Sequence, residues 1–169
     1  MLEVAADSQE AFAEIVGRHQ NGLLNFFARM GAYTDGEDLV QETFLRLFRY
    51  RHRYRPTARF TTFLYVVARH VWADQGRRAM RRGRLDARMQ TEAEIGPGAE
   101  APAPASGMDV NGALERLSPK LREVLVLNVY QGMRYQEIAD VLGIPLGTVK
   151  SRINYALQEL RRLLDANGQ

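Results

Sequence analysis

The sequence predicts an all-α protein made of two small helical domains joined by a flexible linker. Apolar residues recur at helical spacing in the first half and the last third of the chain, and no stretch alternates as a half-buried strand would. Between these parts, the tract at 95–107 (IGPGAEAPAPASG) has a composition that breaks helices and cannot form a core. The predicted domains are therefore 1–82 and 113–169, with a linker at 83–112.

The charge of the 169-residue chain is distributed unevenly around a net value of +3. Residues 1–82 carry 13 Arg and Lys against 9 Asp and Glu, residues 83–112 carry 2 against 5, and residues 113–169 carry 8 against 6. Two basic ends on an acidic tether suit two modules that face nucleic acid. The longest strongly apolar run, Val124 to Val129, is too short to span a bilayer, and the N-terminus lacks a signal-peptide pattern. We therefore expect a cytoplasmic protein with no membrane insertion.

Two helices are predicted in the first fifty residues. The first runs from about Ser8 to Met30, and Gly31 ends it. Thr34 and Glu37 have the spacing of a capping box, which predicts the start of a second helix that runs to about Tyr50. The predicted buried face of that second helix contains Val40, Phe44, Leu47 and Phe48.

The residues on the opposite face of the second helix are not predicted to pack in the core. It carries an exposed leucine among fixed charges, a combination typical of protein-docking surfaces. Its residues are Asp38, Glu42, Leu45 and Arg49, with Gln41 and Arg46 at the borders. A solvated helix face with one ordinary exposed leucine is the alternative reading of the same spacing.

Cations alternate with aromatic residues immediately after this helix. Such a pattern suits single-stranded nucleic acid, because charge holds the backbone while rings stack on unpaired bases. The residues are Arg46, Arg49, Arg51, Arg53, Arg55 and Arg59 among Phe48, Tyr50, Tyr54 and Phe60. A basic surface loop whose aromatic rings belong to the core is the alternative. A further helix, predicted from Thr61 or Thr62 to about Arg82, adds Arg69, His70 and Trp72.

The last third of the chain predicts a helix-turn-helix from Tyr135 to Leu164. A helix that starts at Ser118 and Pro119 and ends at Gly132 precedes it. Within the motif, Ala139 permits close helix approach, Gly143 suits a left-handed turn, and Val149 anchors the second helix. Pro145 suits that helix's first turn.

The second helix of this motif has one apolar and one polar arc. A rotation of about 100° per residue places Val149, Ile153, Ala156, Leu157, Leu160, Leu163 and Leu164 on the buried side. The opposite arc carries groups that can reach base edges, flanked by Lys150 and Thr148. They are Gly147, Ser151, Asn154, Tyr155 and Gln158. A helical hairpin with no DNA role is the alternative.

Catalytic chemistry finds no support in the sequence. The serines lack a nucleophile-elbow context, and no glycine-rich phosphate loop is present. His19, His52 and His70 lack metal-ligand spacing, and there is no cysteine. We therefore expect no enzyme, no catalytic residue, no metal site and no cofactor.

With both modules described, the chain resembles bacterial RNA polymerase sigma factors of the extracytoplasmic-function (ECF) group. The family's region 2 is represented by DGEDLVQETFLRLFR and FTTFLYVVARHVWADQGRR within Ala11 to Arg82. Region 4 is represented by Ala113 to Leu164, in which LGIP is followed by GTVKSR. Together the two segments cover about three quarters of the chain, and the region 2 segment separates it from response regulators that share the shorter motif.

The resemblance implies a role for each polar surface. Docking on the clamp helices of the polymerase β′ subunit would use Asp38, Gln41, Glu42, Leu45, Arg46 and Arg49. Binding of the melted −10 element would use Tyr54, Arg55, Thr57, Arg59, Phe60, Thr61, Thr62, Arg69 and His70. Reading of the −35 element would use Thr148, Lys150, Ser151, Arg152, Asn154 and Tyr155.

The resemblance also implies the partners of the chain. These are core RNA polymerase, through the β′ clamp and the β flap, promoter DNA, and an anti-sigma factor that supplies restraint from outside. RNA synthesis would belong wholly to the polymerase. Two other classes remain open from the residues alone: a helix-turn-helix regulator that binds DNA by itself, with 1–82 as a sensory or dimerisation module, and a polymerase-binding adaptor.

Overall fold

The computed structural model describes residues 1–90 and 110–165, which form helices joined by short turns and, over these ranges, contain no strand. This confirms the predicted all-α class. The helices are α1 (Leu2–Ala5), α2 (Gln9–Met30), α3 (Gly36–Arg49), α4 (Phe60–Gln90), α5 (Val110–Arg116), α6 (Pro119–Leu125), α7 (Tyr135–Leu142) and α8 (Leu146–Asp165). The Pro/Ala/Gly tract of the predicted linker lies outside the described residues.

Helix α2 begins and ends where the sequence predicts. The hydroxyl of Ser8 accepts a hydrogen bond from the backbone N–H of Ala11 at 3.2 Å, which satisfies one of the free donors of the first turn. Gly31 ends the helix in the left-handed region, with φ at 108°. Helix α1, which precedes α2, was not predicted.

The predicted capping box at the start of α3 is wrong. Thr34 donates its hydroxyl hydrogen to the Asp35 carboxylate at 3.2 Å instead of capping the helix. Asp35 is the N-cap residue, but its side chain makes no capping hydrogen bond. Its other carboxylate oxygen accepts from the Gln75 amide at 2.8 Å. A partner on α4 therefore takes the carboxylate that the local pattern assigned to the helix terminus.

Helix α4 is longer than the sequence analysis predicted. It continues from Phe60 to Gln90, beyond the predicted end at Arg82. Residues 83–90 contain no proline, and the helix-breaking tract begins only near Gly96, so nothing local stops the helix earlier. The first half of α4 buries Leu64, Tyr65, Val67, Ala68 and Val71.

The C-terminal helices follow the predicted order. Ser118 precedes α6 with Pro119 at its first position, and a π-helical turn at Val126–Tyr130 continues it. Gly132 and Gly143 both take left-handed conformations, with φ at 63° and 64°. A separate apolar cluster lies between α5, α6 and α8, formed by Ala113, Leu114, Leu117, Leu125, Ala156 and Leu163.

The two halves of the chain pack against each other, an arrangement that the sequence analysis did not predict. We call residues 1–90 the N-terminal half and 110–165 the C-terminal half. Helix α4 packs on α7, and α2 packs on α5, α6 and the π-helical turn. The main apolar cluster is continuous across the boundary, since it contains Phe26 and Leu64 from one half and Leu127 and Ile138 from the other.

We expect two glycines of α2 to respond differently to alanine. Glycine inside a helix costs roughly 0.5–1 kcal/mol relative to alanine. A Cβ at Gly17 would meet nothing within 4 Å, so Gly17→Ala should raise the free energy of unfolding by about that amount. A Cβ at Gly22 would lie 3.2 Å from the Tyr65 hydroxyl oxygen, so Gly22→Ala should stabilise less or destabilise. Urea unfolding measures both, and equal gains would contradict the close approach at Gly22.

Candidate nucleic-acid and polymerase interfaces

The turn between α7 and α8 positions the predicted −35 residues. Gly143 reverses the chain, and the N–H of Ile144 bonds to the Ala139 carbonyl at 3.2 Å. The carbonyl of Pro145 accepts from the N–H of Thr148 at 2.9 Å and from that of Val149 at 3.2 Å, so Pro145 lies just before α8 rather than in its first turn.

The polar arc of α8 is exposed as predicted from the helical rotation. Lys150, Ser151, Asn154 and Tyr155 are all exposed, and Tyr155 retains 63% of its accessible surface. Thr148 and Arg152 are half-buried at the borders of this surface. The Ser151 hydroxyl donates to the Thr148 carbonyl at 3.0 Å, which leaves its lone pairs free to accept.

One residue of the predicted buried arc of α8 is exposed in the structure. Val149, Ile153, Ala156 and Leu163 are buried, whereas Leu157 remains 47% exposed. Leu157 lies near the edge of the predicted arc, where a small difference in helix rotation changes which side chains reach the core.

The predicted −10 loop presents its cations and keeps its rings partly inside. Arg55, Thr57 and Arg59 are exposed. Tyr54 is half-buried against Phe63, with ring centroids 5.1 Å apart, and Phe60 is half-buried with its centroid 5.3 Å from that of His19. Burial lowers the pKa of His19, with the nearby Arg18 charge adding to the effect. Phe60 therefore contributes to packing beneath the loop as well as to its surface.

The remaining −10 candidates lie along the first three turns of α4. His70 is exposed, Thr61 and Arg69 are half-buried, and Thr62 is only 4% exposed. The expectation that Thr62 lies on the DNA-facing surface is therefore not met in this arrangement, because its side chain points into the core. The sequence placed Thr62 at a helix start, where the apolar phase is hardest to determine.

The predicted docking face of α3 combines one exposed leucine with a fixed ion-pair network. Leu45 is 51% exposed, and Asp38, Gln41 and Arg49 are exposed around it. The Arg46 guanidinium donates to Glu42 on its own helix at 2.7 Å and to Asp74 on α4 at 2.6 Å. Arg46 is thus held in place, and the α3 surface is anchored to α4.

Asp74 is a member of this site that the sequence analysis missed. The guanidinium groups of Arg46 and Arg77 lower its pKa to about 2. The same two carboxylates, Glu42 first and Asp74 second, raise the pKa of Arg46. The groove beside this network is lined by Asp35, Asp38, Glu42, Arg46, Asp74, Gln75 and Arg78. Its lining contains both acidic and basic side chains.

Two carboxylates of the C-terminal half contact predicted −10 residues. Arg69 donates to Glu123 on α6 at 3.1 Å, and Arg59 approaches Glu137 on α7 at 3.4 Å. Burial raises the pKa of Glu123, and the charges of Arg69 and Arg152 oppose that rise. Neither carboxylate was predicted to have a role, because neither belongs to a recognisable motif and their partners are distant in sequence.

No metal centre is apparent in the part of the chain that the structure describes: it holds no group of three or more potential ligands. Across the same residues, no helix is both long and apolar enough to cross a membrane.

Comparison with protein families finds two matches. A family model described as "Sigma-70 region 2" matches residues 15–82, and one described as "Sigma-70, region 4" matches residues 108–160. Together they cover more than half of the chain, and they contain the α3, α4 and α8 surfaces described above.

Individual relatives of the chain are also RNA polymerase sigma factors. The ECF RNA polymerase sigma factor SigE of Mycolicibacterium smegmatis is 36% identical, over 89% of this chain and 60% of its own length. The RNA polymerase sigma factor CarQ of Myxococcus xanthus is 35% identical, over 93% of this chain and 91% of its own. The chain thus spans about three fifths of SigE and nearly all of CarQ.

A solved structure extends the similarity to the fold. The sigma factor RpoE of Bartonella quintana, crystallised with the anti-sigma factor NepR, is 26% identical and has a TM-score of 0.73. The match covers 92% of this chain and 98% of that one.

We expect the Arg46–Asp74 network to make stability depend on acidic pH. The pKa of Asp74 is lowered from 3.8 to about 2, so its contribution is present above about pH 4 and is lost as the pH falls towards 2. Asp74→Asn should therefore lower the melting temperature at pH 7, and the difference from wild type should shrink below pH 4. Thermal melts across this range measure the effect.

The matched control is Asp140→Asn. Asp140 is exposed and accepts from the Gln136 amide at 3.2 Å rather than from a cation. A pH-independent difference between Asp74→Asn and wild type would contradict the role assigned to the network.

Proposed function

The chain belongs to the ECF group of the sigma-70 family of RNA polymerase sigma factors, and on that premise we propose which of its surfaces serve transcription initiation. The family resemblance predicted from the sequence is thus confirmed. The proposal is that it binds core polymerase, directs it to specific promoters and helps to melt the −10 region. The assignment to promoter DNA rests on helix α8, which has an exposed polar arc and, on its opposite side, a buried apolar arc.

The α3 face docks on the polymerase clamp. Its exposed leucine supplies apolar contact area, and the surrounding charges set orientation and exclude wrong partners. The Arg46–Asp74 pair supports this role because it fixes the surface before binding, which reduces the entropy lost on docking. The residues of this surface are Asp38, Gln41, Glu42, Leu45, Arg46 and Arg49.

The loop before α4 and the start of that helix bind the melted −10 strand. Arg55 and Arg59 supply charge for the backbone, and the rings of Tyr54 and Phe60 lie beside them for stacking on an unpaired base. Thr57, Thr61, Arg69 and His70 extend the surface along the same edge. Thr62 supports the loop from the core.

The −35 element is read by α8 in the major groove. Ser151, Asn154 and Tyr155 lie on the exposed arc, where their side chains can reach base edges, and Lys150 lies beside them. Thr148 and Arg152 border this surface and position it against the phosphates.

The partners of the chain follow from this assignment. They are core RNA polymerase, through the β′ clamp and the β flap, promoter DNA, and an anti-sigma factor, the class of protein that NepR is to RpoE. The polymerase carries out RNA synthesis, and the chain itself is not an enzyme. The site of action is the cytoplasm, where the polymerase and the chromosome are.

Reconstitution separates this function from its alternatives. The purified chain is mixed with core polymerase and genomic DNA, and the transcription start sites are mapped. A sigma factor binds core polymerase and yields defined start sites with a shared motif upstream. A stand-alone regulator would fail to bind the core enzyme, and an adaptor would bind it without selecting start sites.

We expect Leu45→Arg to weaken core binding at least tenfold, the order expected when an exposed apolar anchor at an interface is replaced by a charge. Because Leu45 is 51% exposed, the helical content should not change. Leu157→Arg on α8 is the matched control, since Leu157 is 47% exposed and lies outside the proposed docking face. If a fluorescence titration gave equal affinities of the two variants for core polymerase, the docking assignment would be wrong.

We expect Asn154→Ala and Lys150→Ala to separate base reading from phosphate binding. Loss of a base-edge contact costs about 1–3 kcal/mol and relaxes preference at one position. Loss of a phosphate contact weakens all sequences alike and lowers the salt dependence by roughly one unit of slope. Selection from a promoter library, with binding repeated at several salt concentrations, distinguishes the two. If Asn154→Ala returned the wild-type motif with uniformly weaker binding, this face would not read bases.

A further inference from the structure

We propose that the carboxylate of Asp7 positions the predicted −10 loop, residues 54–59, by binding Arg51 in the short turn that leads into it. This turn is a 3₁₀ helix, Arg51–Arg53, and we call it the entry turn. The inference deepens the proposed function and rests on it, since it takes the −10 loop to bind the melted strand. Asp7 is a positioning residue in this scheme, because it acts through Arg51 and not on the DNA.

Helix α1 packs on the entry turn as well as on α2. Its Val4 side chain is fully buried, which anchors this short helix. The segment between α1 and α2 brings Asp7 to the entry turn, where its carboxylate accepts a hydrogen bond from Nε of Arg51 at 2.7 Å. The same carboxylate oxygen lies 3.6 Å from Nε2 of His52. Two consecutive residues of the entry turn therefore face one carboxylate from a distant part of the chain.

The guanidinium of Arg51 is held by three groups at once. Besides the contact with Asp7, its Nη1 donates to the Phe48 carbonyl at 3.0 Å, and its central carbon lies 4.0 Å from the centroid of the Phe48 ring. The hydrogen bond from Arg51 lowers the pKa of Asp7, so the carboxylate is charged at neutral pH. The Arg51 side chain is 19% exposed, although that of Asp7 is 62% exposed. An exposed ion pair alone contributes little, but here it fixes a cation that a ring and a carbonyl already hold.

The entry turn is joined directly to the −10 loop. The Arg51 carbonyl accepts from the backbone N–H of Tyr54 at 3.3 Å, so a fixed Arg51 fixes the first residue of the loop. The Tyr54 ring in turn packs against Phe63 on α4. The exposed cations Arg55 and Arg59 follow. The loop is therefore held through Asp7 where it begins and by α4 where it ends, and its cations lie between these two points.

The backbone of Asp7 lies in the left-handed region, with φ at 64°. In the part of the chain that the structure describes, no other residue except glycine has a positive φ. Glycine adopts this conformation without steric cost, whereas residues with a side chain adopt it rarely. Backbone conformation alone would thus favour glycine at this position. What aspartate adds is a carboxylate that binds Arg51.

Loss of this carboxylate leaves the entry turn attached through Phe48 and frees it on the side of α1. The −10 loop then samples more conformations before it meets DNA, and binding of the melted strand has to order it. Formation of the open complex is slower as a result. Affinity for core polymerase does not change, because Asp7 contacts the entry turn and not the α3 docking face.

Three substitutions test the contact. Asp7→Gly removes the carboxylate and supplies the residue that the left-handed backbone favours. Asp7→Asn keeps an amide oxygen that can accept from Arg51 without the charge. Arg51→Gln removes the cation. The matched control is Glu14→Gln, because Glu14 is an exposed carboxylate paired with Arg18 on its own helix, and the change in net charge equals that of either Asp7 variant.

The two Asp7 variants separate a positioning role from a purely local one. If Asp7 served only the left-handed turn, Asp7→Gly would equal or exceed the wild type in every measurement. If Asp7 holds Arg51, Asp7→Gly is the most impaired and Asp7→Asn is intermediate. The melting temperature should change little in both, since the pair is exposed and glycine relieves the backbone.

Mobility of the loop is measured on the full free chain. The chain has no cysteine, so a nitroxide spin label can be attached at Ala58→Cys, an exposed position of the loop. Electron paramagnetic resonance should show the most mobile label in Asp7→Gly, less mobility in Asp7→Asn and wild-type mobility in Glu14→Gln. Asp7→Gly combined with Arg51→Gln should be no more mobile than Arg51→Gln alone, because Asp7 acts through Arg51.

Promoter opening is measured with reconstituted holoenzyme at a promoter recovered by the start-site mapping described above. Asp7→Gly should slow formation of the open complex about threefold, within the range set by one exposed ion pair. Glu14→Gln should open the promoter at the wild-type rate. Both variants should bind core polymerase with wild-type affinity, and circular dichroism checks their folding.

Three results would overturn the proposal: an unchanged label mobility in Asp7→Gly, a wild-type opening rate despite a mobile loop, or equal changes in Glu14→Gln. If Arg51→Gln misfolds, the two Asp7 variants decide. Transcription by holoenzyme carrying Arg55→Ala and Arg59→Ala tests the −10 assignment separately. Unimpaired transcription would refute that assignment, whereas the spin-label spectra would still report whether Asp7 holds the loop.

Discussion

The packing of α4 on both sides is the constraint on which the rest of the structure depends. Its buried residues, Leu64 and Val71 among them, lie in one apolar cluster with residues of both halves, and it packs on α3 on one side and α7 on the other. The same helix carries Arg69 and His70 on its polar side. Arg69 is paired with Glu123 of α6, whereas His70 remains exposed. The contacts of Arg69 therefore depend on the packing of the two halves.

The proposed docking face of α3 remains exposed in the packed arrangement. Leu45 is half exposed in the same arrangement in which Arg59 and Arg69 are paired with carboxylates of the C-terminal half. The Arg46–Asp74 pair ties α3 to α4 within the N-terminal half, so this surface is fixed without contacts from the C-terminal half. The proposed docking face is therefore accessible while the two halves are packed together.

Local features were predictable and long-range pairings were not. The Ser8 cap, the left-handed Gly143 and the exposed arc of α8 each depend on residues within one or two turns, where spacing carries the information. The ion pairs of Arg46, Arg69 and Arg59 join residues 28, 54 and 78 positions apart, and nothing in a single sequence reports such distances. The misplaced capping box has the same origin, because Asp35 found its partner on α4. Leu157 and Thr62 were misplaced for another reason, since each lies where helical phase changes from buried to exposed.

The two surfaces proposed to contact the promoter differ in their exposure within the structure. Ser151, Asn154 and Tyr155 are exposed on α8, although the helix-turn-helix that carries them packs against the N-terminal half. The −10 cations, in contrast, contact carboxylates of that packed module. The proposed −35 residues are thus open to solvent in the same arrangement in which Arg69 is paired with Glu123 and Arg59 with Glu137.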